Sequence, residues 1–403
     1  SLNTDQLRAI ETGDIKSLST VALRALDTDQ VNALTSNQLQ SLTSSQIASL
    51  TSAPQVSALT TANLNALTTD QISKLTTGQV QALTTDQVHN LTTGNLNALG
   101  TAQFAALNSD QTGALTTAQL SKLETADLRA ITTGALAGLN SDHVKALSTD
   151  EVGALTTAQV AAISSDQLDG LSTAGVVALT SSQVAVMKSD QVVSLNSDQL
   201  RAIETGDIKS LSTAALRALG TDQLNSLTSN QLQSLTSGQI TALTTDQVAA
   251  LTTANLNALT TDELGKFSSS QVKVLTTEQI NNLTTANLNA LGTAQFASLT
   301  SDQAAALTTA QLNKLETADL RSLTTGALAG LNSDHVKALS TDEVGALTTA
   351  QVQALSSDQL DGLTTAGVVA LTSSQVAALK SDQLTSLNSD QLRAIETGDI
   401  KAL

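Results

Sequence analysis

Apolar residues return along this chain in pairs three apart, and each pair begins eight residues after the last. Leu7 and Ile10, Ile15 and Leu18, and Leu23 and Leu26 open the series. From Asn3 onward the sequence falls into fifty octads, with one inserted residue beside Pro54. Thr84-Thr85-Asp86-Gln87-Val88-His89-Asn90-Leu91 is a typical unit. With the octad numbered 1 to 8, positions 5 and 8 are apolar and position 7 is mostly Ala or Ser. Position 2 is always Ser or Thr, and position 4 is usually Gln. Apolar residues three apart share one face of a helix, whereas in a strand they point to opposite sides.

Other signals agree with a helix. A hydroxyl two to three residues ahead of position 5 is an N-cap signal, and Thr-x-x-Gln from position 1 has the form of a capping box. Acids gather at position 3 and bases at positions 6 and 7 (Arg8, Lys16, Arg24, Lys74, Lys122), which suits a helix dipole running that way. The pattern predicts a short helix over positions 3 to 8, with position 2 capping, positions 5 and 8 packing and position 6 facing out. One continuous helix is excluded, because eight residues advance about 800° and leave a drift of about 80° per repeat. The chain must turn at each octad. The predicted fold is therefore all-α: a solenoid or superhelix of very short helices, one per octad. A β-solenoid is the alternative, since Thr and Val favour strands. The free choice of residue at position 6 and the Ala-Leu endings weigh for helix.

A longer period lies above the octad. Ser1–Leu18, Ser194–Leu211 and Ser386–Leu403 carry nearly the same eighteen residues, and their shared isoleucines fall at Ile10, Ile203 and Ile395. The larger unit is thus 24 octads. It divides the chain into a first block at 1–195, holding the insertion near Pro54, a second at 196–387, and the start of a third at 388–403, in one continuous solenoid. Proline fixes φ and lacks an N–H, so the insertion is expected where an element begins. Phe104 at position 5 is followed at the next position 5 by Thr112, and one block later Phe296 is followed by Ala304. A large residue followed by a small one, twice, suggests volume compensation in a shared core.

Composition narrows the function. Apolar residues make up 40% of the chain but aromatics only 1%, as a core of identical layers allows. There is no cysteine, which excludes disulfides and thiolate metal sites. A net charge of −17 argues against nucleic acid or anionic lipid as partner, and no apolar run approaches the roughly 20 residues of a membrane span. The repeated signature at both ends and the lack of an atypical capping octad suggest an excerpt of a longer array, or subunits that cap one another.

Candidate chemistry is sparse. His143 and His335 occupy position 4 in equivalent octads, and His89 stands at position 6. Asp142-His143 with Asp150-Glu151 of the next octad could form a small cation site. The simpler reading is a Gln-to-His exchange on a solvated turn, because zinc wants three or four converging ligands. No nucleophile elbow, phosphate loop, dinucleotide fingerprint or calcium loop occurs. Catalytic, cofactor-binding and metal-binding residues are accordingly all assigned as none, and no cofactor is expected.

The octad resembles the L-T-T-x-Q-[ILV]-x-x-L tandem repeats of very large secreted or surface exoproteins of Gram-negative bacteria, which are adhesin-like. The resemblance covers essentially the whole chain and implies a secreted or cell-surface location with a stalk, matrix or fibre role. The expectation is a structural, non-catalytic protein that forms or extends an extracellular filament, fibre or adhesin stalk by self-association, end to end or laterally. A cell-surface or matrix partner is possible, and neither nucleic-acid binding nor membrane insertion is expected. The alternative is a surface scaffold that recognises a glycan or a protein.

Overall fold

The protein, described here from a computed structural model over residues 2–395, is all-α. Among the described residues there are 48 α-helices of four to six residues, one wider turn at Ser52–Val56 and no strand. The helical solenoid is therefore the fold, and the β-solenoid alternative is set aside. The chain forms two compact units, Ser1–Ala218 and Leu219–Leu403.

Each octad makes one helix, one position earlier than the sequence suggested. In the octad Thr84–Leu91 the helix is Thr85–Asn90, so position 2 is the first helical residue and position 1 is the cap. Thr84 is extended (φ −75°, ψ 160°), and its Oγ1 accepts from Gln87 N–H at 3.1 Å. The Gln87 Oε1 accepts in return from Thr84 N–H at 2.8 Å. A cap serves the amide three residues ahead. That residue is the position 4 glutamine, so the capping role assigned to position 2 belongs to position 1. At the other end Leu91 leaves the helix in an extended conformation (φ −59°, ψ 132°) and starts the turn into the next octad.

Positions 5 and 8 form the core in both units, as Val88 with Leu91 and Ile280 with Leu283 illustrate. Phe104, Thr112, Phe296 and Ala304 are all fully buried. Helices stack at an interval of three octads. Thr125–Ala130 packs between Thr101–Phe104 and Thr149–Ala154 in the first unit. In the second, Thr317–Ser322 packs between Thr293–Phe296 and Thr341–Ala346. Position 7 is small because it meets the helix three octads back. A Cβ on Gly138 would stand 1.8 Å from the Ser109 carbonyl oxygen, and one on Gly170 would stand 2.3 Å from that of Ser141.

The inserted residue sits in the first turn of its octad, just after the Thr51 cap. Ala53 is extended (φ −125°, ψ 131°), as a residue before proline prefers to be. Beyond Pro54 the pattern resumes in phase, and Gln55 and Val56 are buried like their counterparts elsewhere.

Candidate functional site

Very short helices create a specific problem. Each leaves its first four N–H groups and last four C=O groups without intrahelical partners, and here that is most of the backbone. Side chains must supply the missing partners wherever the ends are buried, since an unpaired buried polar group costs about 1–3 kcal/mol.

The position 4 glutamine does this at both ends. Its Oε1 closes the capping box of its own octad, and its Nε2 donates to two carbonyls of the octad four places earlier. Gln38 donates to Leu7 O and Ile10 O, each at 2.8 Å. Gln111 donates to Val80 O and Leu83 O at 2.8 Å. In the second unit Gln303 donates to Val272 O at 2.9 Å and Leu275 O at 2.7 Å. Gln55, beside the insertion, still reaches Leu23 O and Leu26 O at 2.7 and 2.8 Å. The acceptors are the C-terminal carbonyls that lie over the core, most often positions 5 and 8, whereas Gln199, Gln295 and Gln391 pair position 8 with position 6. Packing three octads apart and bonding four octads apart place one coil between three and four octads.

Asparagine at position 4 is too short for this double role, and a second side chain takes it over. Asn63, Asn95, Asn255 and Asn287 are the cases, and each faces an asparagine at position 6 four octads back. Thr92 N–H donates to Asn65 Oδ1 at 3.0 Å in place of a box glutamine, while Asn65 Nδ2 donates to Asn90 O at 2.7 Å. Asn95 Nδ2 completes the cluster on Asn65 Oδ1 at 3.4 Å. The same bridges form from Thr60 to Asn32, Thr252 to Asn225 and Thr284 to Asn257. The expectation that position 6 faces out is therefore corrected for these residues, whose side chains tie junctions together.

The histidines follow the same rule. His143 and His335 are 7% and 8% exposed, so the solvated-turn reading is overturned. His143 Nδ1 accepts from Asn140 N–H at 3.2 Å, as a glutamine Oε1 would. Burial lowers its pKa, against the opposing pull of a hydrogen bond to the Leu115 carbonyl and of Asp142. The ring is thus neutral with its proton on Nε2. Burial also lowers the pKa of His335, against Asp334 and the Leu307 carbonyl. With Nδ1 engaged by a backbone amide, His143 has no free lone pair for the cation site considered with Asp142, Asp150 and Glu151. Among the described residues no group of three or more His, Cys, Asp or Glu is placed to hold a metal ion.

Acids at position 4 are a further exception, beside alanines and glycines such as Ala135 and Gly175. Glu263 and Glu343 are pushed above the usual carboxylate range by burial, although each accepts from the amide of its own cap. Asp127 and Asp319 rise to about 6, through burial first and then the neighbouring Glu124 and Glu316.

One surface feature recurs at the long period. Ser141, Asp142, Lys145, Asp169 and Gly170 line a shallow groove of about 350 Å³. One block on, Ser333, Asp334, Lys337, Asp361 and Gly362 line its counterpart of about 490 Å³.

The sequence matches the ALTTAQ repeat in thirteen stretches, several of them overlapping, that run from 7–44 to 352–389. The chain belongs to the ALTTAQ repeat family. No curated protein matches it. In ALTTAQ terms the Leu-Thr-Thr run joins the position 8 residue of one octad to the cap and first helical residue of the next, and the Gln is the residue that stitches coils. The importance of that Gln was available in the sequence as a polar residue held in constant register beside the apolar position 5. Its reach across four octads was not, because nothing local specifies the number of octads in a coil.

Proposed function

We propose that this protein is a structural element without catalysis, one that forms or extends an extracellular bacterial filament, fibre or adhesin stalk. The observation that carries this reading is where the polar groups go. The buried amides of position 4 and the asparagines of position 6 are engaged by backbone groups of other octads, and this bonding recurs along both units. A side chain engaged in this way holds neighbouring coils in register and is not available to a substrate. A ladder of identical bonds suits a part whose task is to maintain length and spacing. The net charge of −17 supports a surface that repels its neighbours except where specific contacts form. Self-association, lateral or end to end, would use the 192-residue register as its repeat distance. Electron microscopy of the purified chain at increasing concentration tests this. Filaments or regularly spaced bundles are expected, and dispersed single particles at the highest concentrations would refute the filament role.

The recurring groove favours a second reading, a scaffold that displays two equivalent polar sites to a glycan or protein. A rise in thermal midpoint with a glycan panel, lost in the paired variant Asp169→Ala/Asp361→Ala, is the expected sign of such binding.

A further inference from the structure

Two buried oxygen atoms in this protein lack a hydrogen-bond partner among the described residues: Asn97 Oδ1 and Asn289 Oδ1. They occupy the same place in the two long blocks, each at position 6, and in each the Nδ2 is satisfied. Asn97 Nδ2 donates to Lys122 O at 2.8 Å, and Asn289 Nδ2 donates to Lys314 O at 2.7 Å. The octads ahead show what normally meets such an oxygen. Over Asn65 and Asn257 stands an asparagine, Asn95 or Asn287, thirty residues later, whose Nδ2 donates to the Oδ1 at 3.4 and 3.3 Å. Thirty residues after Asn97 and Asn289, the register places Asp127 and Asp319. A carboxylate there puts oxygen against oxygen where an amide would donate. Both aspartates are deeply buried, at 5% and 4% exposed. Their caps, Glu124 and Glu316, make no side-chain cap hydrogen bond.

We propose that Asp127 and Asp319 work as protonated acids, each donating its carboxyl proton to the unpaired Oδ1 of Asn97 or Asn289, so that acidification tightens these two junctions and neutral pH loosens them. The proton comes from solvent, and no other bond is made or broken. The acidic neighbours of each aspartate favour retaining the proton, and the basic ones oppose it. Within its own octad Asp127 has Glu124 and Arg129, and Lys122 stands at position 7 of the octad before. The helix Thr101–Phe104 packed on one side carries no charge, and Thr149–Ala154 on the other contributes Asp150 and Glu151. Asp319 has Glu316, Arg321 and Lys314. Thr293–Phe296 carries no charge, and Thr341–Ala346 contributes Asp342 and Glu343.

A raised carboxyl pKa means that the folded chain binds more protons than the unfolded chain between about 4 and about 6. Stability therefore rises as pH falls through that window and is flat above it. Because the two sites are one 192-residue block apart, a single pH change acts at both.

Carboxyl-carbon NMR titration of the full chain tests the proposal, with Asp127→Asn and Asp319→Asn used to assign the signals. Midpoints near 6 are expected for both residues, lower in Asn97→Leu and Asn289→Leu, which remove the acceptor, yet still above the ordinary aspartate range because the burial is kept. Midpoints near 4 in the wild type, or wild-type midpoints unchanged by the leucine variants, would overturn it. A second measurement guards against variants that fail to fold. The double variant Asp127→Asn/Asp319→Asn carries a permanent donor, so it should melt above the wild type at pH 7, and the gap should narrow by at least about 2 °C by pH 5. A gap that does not change with pH would contradict the proposal.

Discussion

Asn108–Leu115 and Asn140–Leu147 begin with the same three residues, Asn-Ser-Asp, and differ at the fourth: Gln111 in one and His143 in the other. Both fourth residues are buried and both close the cap of their own octad. The two part at the far end. Gln111 reaches two carbonyls of an earlier octad, Val80 O and Leu83 O. His143, with one remaining ring nitrogen, serves the Leu115 carbonyl of the first octad itself. Gln111 and His143 thus each supply an acceptor facing back and a donor facing across, whereas Ala135 and Gly175 fill position 4 of their helices with neither. A glutamine provides both at any pH, an asparagine needs a helper at position 6, and a histidine or acid provides both in only one protonation state.

The largest effect is expected at Gln111. Gln111→Leu keeps the volume but leaves Asn108 N–H, Val80 O and Leu83 O without their side-chain partner. A loss of about 2–4 kcal/mol is expected by chemical denaturation, concentrated in hydrogen exchange around residues 80–83 and 108–115. Next in size is Gly138→Ala, where the new Cβ would meet the Ser109 carbonyl and force the stacked helices apart, at a cost of about 1–3 kcal/mol. Gly134→Ala is its control. That glycine faces open space as the second residue of the helix Thr133–Leu136, so the same change should stabilise by about 0.5–1 kcal/mol in the same assay.

The histidine side of the comparison is sharpened by His143→Gln, which should add roughly 0.5–1.5 kcal/mol at neutral pH by restoring a second donor bond. It should also remove a pH dependence of known sign. The folded pKa of His143 lies below 6.5, so its contribution is complete above that value and is lost as pH falls through the folded midpoint. This runs opposite to the Asp127 effect. Thermal midpoints between pH 7 and 4 for the His143→Gln and Asp127→Asn variants separate the two, and parallel profiles would refute the separation.

Much of this was legible from the octad. The three-residue spacing of positions 5 and 8 fixed helix over strand, and the eighty-degree drift required a turn at each repeat. The capping register was misread by one position, because a hydroxyl at both positions 1 and 2 leaves the cap ambiguous unless the glutamine is counted as its partner. His143 was read as solvated because a polar position looks exposed when nothing local reveals what covers it. The helper role of Asn65 for Thr92 also lay beyond local reading. It depends on which octads face each other, and that is set by how many short helices complete a coil.

The position 4 glutamines, more than helix propensity, hold successive coils together. Side-chain amide hydrogen exchange in protein labelled with nitrogen-15 at glutamine tests it most directly. Buried glutamines such as Gln38, Gln111 and Gln303 should exchange with the protection of core backbone amides, while position 6 glutamines such as Gln40 and Gln81 should exchange at the rate of free amides. Equal, unprotected exchange in both sets would show that these glutamines do not hold the coils.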